Sequence, residues 1–106
     1  MINQFGIFSE SFNLILAVLR RFPQVETGLI FGSRALGTAK KGSDIDLCLK
    51  GEKVTASLAM DIAAILNEQV PIPYHFDVLS YSDIDNQALL QHIDRAGIKI
   101  YEHQGA

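Results

Sequence analysis

Asp44 and Asp46 stand two residues apart in Ser43-Asp44-Ile45-Asp46-Leu47-Cys48-Leu49. Ile45, Leu47 and Leu49 alternate with them as an apolar face, which predicts a β-strand. Residues two apart on a strand point to the same side, roughly 6.5 Å from Cα to Cα. Two carboxylates placed in this way can converge on one or two hard cations. Mg²⁺ suits such a pair, because it takes one or two carboxylates together with waters and substrate phosphates. A bare Asp-x-Asp is also what a solvated edge strand carries, so the motif needs company.

The company is Gly32-Ser33, ten residues upstream of the pair. Val25–Phe31 reads as a strand that runs into this Gly-Ser stop. Ser33 is a good N-cap, and Arg34-Ala35-Leu36 can form one helical turn before Gly37 ends it. The unpaired N–H groups of such a turn attract anions, and the missing side chain at Gly32 lets a phosphate approach the backbone. One half of the pattern thus holds phosphates and the other a divalent metal, which suggests chemistry on a nucleoside triphosphate.

A third carboxylate lies in Tyr74-His75-Phe76-Asp77-Val78-Leu79, where Tyr74, Phe76 and Val78 share one face and His75, Asp77 and Leu79 the other. A carboxylate in so apolar a strand is costly unless it is paired, hydrogen-bonded or bound to metal. Read alone, the segment is equally an exposed edge.

Gly-Ser, ten residues, then Asp-x-Asp resembles the signature of the DNA polymerase β-like nucleotidyltransferases. At this length the chain is similar to the minimal nucleotidyltransferases, including the MntA-type antitoxins that pair with HEPN-domain toxins. The resemblance runs from about Leu14 to Tyr101. It implies one nucleotidyltransferase domain over residues 1–106, with Asp44, Asp46 and Asp77 as metal ligands and catalytic residues for one or two Mg²⁺. Asp77 is also the implied general base. Gly32, Ser33, Arg34, Lys41 and Ser43 are expected to hold ATP. The implied reaction moves NMP, as AMP from ATP, to a hydroxyl, with a tyrosine on a helical HEPN-type partner as the expected acceptor and an antitoxin role as the consequence. Leu36 departs from the pattern, since many relatives carry a second Arg there; Arg34, Lys40 and Lys41 supply positive charge nearby. Two other readings remain: a catalytically idle subunit that inhibits or completes a partner, and a small-molecule nucleotidyltransferase, for instance of aminoglycosides, with its acceptor site at a homodimer interface.

Ser82-Asp83-Ile84-Asp85 repeats Ser43-Asp44-Ile45-Asp46 but has no Gly-Ser turn before it. Leu89, Leu90 and Ile93 follow at helical spacing, so this copy reads as a helix start, with Ser82 and Asp85 as a capping box.

The elements that must position these groups follow from periodicity. A first helix opens at Ser9 or Ser11, carries Phe12, Ile15, Leu16 and Leu19 on one face, and closes before Pro23. A second spans about Thr55 to Gln69, with Leu58, Ile62, Ile65 and Leu66 inward. A last helix ends at Gly97, and Ile98–Tyr101 alternates as a closing strand. The fold class is α/β in the mixed α+β sense: a small mixed sheet with helices packed on one face.

Composition agrees. One hundred and six residues, 48% hydrophobic, make one core. Nine basic against twelve acidic residues give a formal charge of −3 with no basic stripe, which argues against nucleic acid as the main partner. The single Cys48 excludes an internal disulfide and fits a cytoplasmic protein. No apolar run reaches the length of a membrane span, and no leader is expected. His92 is expected to be exposed on its helix, His103 to lie in a frayed tail, and His75 to flank the strand site, touching nucleotide or packing.

Overall fold

The computed structural model describes residues 1–103. Its sheet has four strands, β1 (Thr27–Phe31), β2 (Ile45–Lys50), β3 (Phe76–Ser80) and β4 (Ile98–Glu102), in the order β3-β2-β1-β4. β1 pairs antiparallel with β2 and with β4, while β2 and β3 run parallel. The parallel pair needs a crossover, and the helix α3 (Ala56–Glu68) supplies it. Thr55 caps α3, its Oγ1 accepting from the Leu58 amide at 3.1 Å.

Strand periodicity divides the core in two. Ile30, Ile45, Leu47, Leu49 and Phe76 point to one face, where Ile15, Val18 and Leu19 of α1 (Ser9–Arg20) and Ile62 and Leu66 of α3 cover them. Leu29, Phe31 and Cys48 point to the other and meet Ile93 of α4 (Gln87–Ala96), with Leu89 alongside. The mixed sheet is as the sequence suggests, but the one-face arrangement holds only for α1 and α3. The apolar residues of alternate parity on β1 and β2 need a cover of their own, and α4 is that cover.

Several boundaries move. β3 starts at Phe76, so Tyr74 and His75 precede it. Ser82–Asp85 is no capping box: Tyr81–Asp83 forms one 3₁₀ turn, and α4 is capped by Asn86, whose Oδ1 accepts from the Leu89 amide at 3.0 Å. The His103 amide donates to Glu26 O at 2.8 Å, so the backbone is pinned there rather than frayed. Residues 1–8, unassigned from periodicity, fold back on themselves. Asn3 Oδ1 accepts from the Phe5 and Ile7 amides at 2.9 and 3.1 Å, and Phe5 and Ile7 join the core. No helix among the described residues is long and apolar enough to cross a membrane.

Cys48 is fully buried on β2, and burial pushes its thiol up to about 11 from an ordinary 9.0. The native state therefore prefers the neutral thiol. That contribution to stability is whole below pH 9 and is lost as pH rises through the folded value. A thiol-reactive chromogenic disulfide at pH 8 should label the native protein far more slowly than the urea-unfolded chain.

Candidate active site

The carboxylates follow from strand register. Asp46 and Asp77 are direct partners across the parallel β2–β3 pair, and Phe31 is the partner of Asp46 across β1–β2. Register partners share a face, so Asp46 and Asp77 stand on the side of the sheet that α4 covers. Asp44 lies just ahead of β2, where the Ile45 amide donates to His75 O at 2.8 Å. This bond draws Asp44 to His75, with 3.6 Å between Asp44 Oδ1 and His75 Nδ1. One ligand atom each from Asp44, His75 and Asp77 lies within 4.8 Å of the other two, and all three side chains are exposed.

Asp46 is half-buried, and its carboxyl pKa is raised above the ordinary 3.8. Desolvation is the main cause, with Asp77 and then Asp44 repelling its charge, while His92 acts the other way. Like charges gathered around a partly buried carboxylate are a surplus that a divalent cation removes. The donors are oxygens with one imidazole nitrogen, and such a set fits a hard cation of the Mg²⁺ or Mn²⁺ kind. Asp44 and Asp77 thus converge, while Asp46 lies outside that group of ligand atoms but close enough to feel both charges. His75 joins Asp44 and Asp77, although sequence alone left its role open.

The Gly-Ser turn abuts the same carboxylates. Gly32 has φ 73° and ψ −152°, a conformation open essentially only to glycine. A Cβ there would also overlap Asp46 Oδ2. Gly32, rather than Ser33, is the N-cap of the short helix α2 (Ser33–Leu36), since its carbonyl accepts from the Ala35 and Leu36 amides. Ser33 becomes the first helical residue, and its amide and that of Arg34 have no partner within the helix. The Gly32 amide donates to His92 Nε2 at 2.9 Å. His92 is half-buried and meets the ring of Phe31 edge-on at 6.1 Å, which corrects the expectation that it is exposed. Its helical spacing, one residue before Ile93, hides this role, because only the docking of α4 brings it to Gly32.

Arg34 proves to be a structural tie instead of a phosphate ligand. Its side chain is only 3% exposed. Nη1 donates to Phe5 O and Gly6 O at 3.0 and 3.1 Å, and Nη2 and Nε donate to Ser43 O at 2.6 and 3.2 Å. The guanidinium also lies 4.9 Å over the Tyr74 ring. Ser43 braces the loop, its carbonyl receiving Arg34 and its Oγ accepting from the Lys40 amide at 2.9 Å. Lys41 is exposed at the rim of a groove of about 850 Å³ that Phe5, Phe8, Arg34, Lys40 and Tyr74 also line.

A glycine turn opening a short helix against an in-register carboxylate pair defines a site for phosphate and divalent cation. Residues 13–105 match the family described as Polymerase beta, Nucleotidyltransferase. The chain belongs to that family and is a nucleotidyltransferase. Over 79 residues it is 32% identical to the probable protein adenylyltransferase MntA of Haemophilus influenzae, covering 74% of this chain and 69% of that protein. Its fold is also that of a toxin–antitoxin crystal structure with AMP-PNP, at TM-score 0.71 and 22% identity over 88% of this chain and 74% of that one. A tri-AMPylated Shewanella oneidensis HEPN toxin in complex with MNT antitoxin matches at TM-score 0.66 and 18% identity, over 90% and 72% of the two chains.

Arg34→Ala removes the donors to Phe5, Gly6 and Ser43. It should cost about 2–4 kcal/mol in urea unfolding, and Arg34→Lys should not restore it, because one ammonium cannot replace the fork. Nucleotide affinity of the folded fraction should change little. Asp46 gives a second expectation. With its folded pKa raised, the native state holds its proton longer than the unfolded chain does. Its ionisation therefore erodes stability as pH climbs above 3.8. At pH 7 Asp46→Asn should raise the melting temperature of the metal-free protein, and added Mg²⁺ should stabilise the wild type more than the variant.

Proposed function

We propose that this protein transfers AMP from ATP to a tyrosine of a helical HEPN-type partner and thereby acts as the partner's antitoxin. The observation that carries the reading is the placing of the glycine turn at Gly32 against Asp46, itself in register with Asp77. Asp44, Asp46 and Asp77 hold Mg²⁺, with His75 at their side. When bound, the cation supplies positive charge to the triphosphate and to the leaving pyrophosphate.

The residues of the chain do the rest. The first amides of α2, with the Ser33 hydroxyl, hold the β- and γ-phosphates, and Lys41 adds charge from the neighbouring loop. The acceptor oxygen bonds to the α-phosphorus as the bridging oxygen to the β-phosphate departs, so pyrophosphate leaves and AMP remains on the acceptor. Asp77, exposed at the rim, accepts the proton of the hydroxyl. Most of the acceleration comes from holding these groups in line and in a fixed field.

The acceptor reading rests on the openness of the site and on the relatives. Asp44, His75 and Asp77 are all exposed, so a hydroxyl presented on another protein's surface can reach them. The similar proteins include a protein adenylyltransferase and an antitoxin bound to an AMPylated HEPN toxin. We place the protein in the cytoplasm, where ATP is available and Cys48 stays reduced, as a single domain over residues 1–106.

Incubation with Mg²⁺, the partner and ATP labelled at the α-phosphate should label the partner, whereas γ-label should not transfer. Asp44→Asn/Asp46→Asn should lower the rate by roughly 10²–10³-fold, the scale of several kcal/mol of lost charge stabilisation. A tight complex without label would identify a stoichiometric inhibitor. Efficient labelling of a small molecule by the chain alone would identify a small-molecule transferase.

A further inference from the structure

The bond from the Gly32 amide to His92 Nε2 joins residues sixty apart in sequence and ties α4 to the glycine turn. In this bond the backbone N–H donates and the imidazole nitrogen accepts. Each handle on Gly32 is then in use. Its carbonyl receives the α2 amides, its amide is held by His92, and its Cα face is packed by Asp46 Oδ2. φ 73° and ψ −152° is one of many conformations open to a glycine, so the turn keeps it only while these contacts hold it. His92 itself is fixed, since Ile93 beside it is 1% exposed among Leu29, Phe31 and Cys48, and the Phe31 ring lies edge-on to the imidazole.

We propose that His92 is a positioning residue that holds the Gly32–Ser33 turn against the Asp46 carboxylate, so that the phosphate-holding and cation-holding parts of the donor site keep one spacing. The proposal rests on the donor-site reading given above. The peptide that His92 grips lies immediately ahead of the one that presents the Ser33 amide. Freed from α4, Gly32 can sample the other conformations open to glycine and carry Ser33 with it. Displacements of this size matter, because transfer depends on a near-attack geometry. His92 need touch neither nucleotide nor acceptor to have this effect.

The test compares wild type with His92→Ala and His92→Gln, the glutamine carbonyl standing where Nε2 accepts. Gly32 amide exchange is followed by ¹⁵N-resolved NMR, and binding of an α,β-methylene ATP analogue with Mg²⁺ by calorimetry. The Gly32 amide should be protected in the wild type and in His92→Gln and exchange freely in His92→Ala. Analogue affinity should fall about tenfold in His92→Ala and recover in His92→Gln, with melting temperatures of the two variants alike. Equal affinity in all three proteins, equal loss in both variants, or an unprotected Gly32 amide in the wild type would each overturn the proposal. Failure of the wild type to bind the analogue would instead sink the donor-site reading, and Gly32 exchange would still decide the tether.

Discussion

Asp46 and Asp77 face one another on neighbouring parallel strands, and that pairing sets the terms for the rest of the molecule. Two carboxylates in register repel, and partial burial of Asp46 adds a desolvation cost. The surroundings must therefore hold the pair in place without the help that apolar packing gives the other strand positions. Ile45, Leu47, Leu49 and Phe76 provide it from the opposite side of the sheet, where α1 and α3 seal them. The strands are anchored through one face, which leaves the other to carry charge at its end.

Around that pair the fold arranges supports of different kinds. The first is steric: Gly32 leaves the space that Asp46 Oδ2 occupies. The second is a hydrogen bond from another element, in which His92 of α4 receives the Gly32 amide. The third is remote from the carboxylates. Arg34 gathers the carbonyls of Phe5, Gly6 and Ser43, so the N-terminal segment and the residue just before Asp44 are tied to α2. A cation inside the fold thus stabilises the frame, while Lys41 stays exposed at the surface. This division is sensible energetically, because a buried guanidinium is tolerable when carbonyls satisfy its fork and costly when they do not.

Much of this was legible in the chain. Alternation at Ile45–Leu49 and Phe76–Leu79, the helical spacing of Ile62 and Leu66, and the Gly-Ser to Asp-x-Asp spacing all depend on local geometry, which neighbouring residues dictate. The same periodicity separates the copy at Ser82–Asp85 from the one at Ser43–Asp46, although the helix cap falls on Asn86 instead of Ser82. The misjudged positions were those whose partners are far away in sequence. Arg34 looked like a phosphate ligand because its neighbours are Gly32 and Ser33, and nothing local reveals Phe5 and Gly6. His92 looked like a surface residue because its polar neighbours hide the approach of Gly32.

The sequence by itself determined the elements, the two-residue period that puts Asp44 with Asp46, and the need for a glycine at the turn, since these follow from backbone sterics and side-chain alternation. Only the tertiary structure decided that Asp77 pairs with Asp46, that α4 covers the carboxylate face, and that Arg34 turns inward while His92 reaches the turn. Each of those outcomes depends on strand order and helix docking. Both are settled by which apolar faces can be buried together across the whole chain, and no local pattern contains that information.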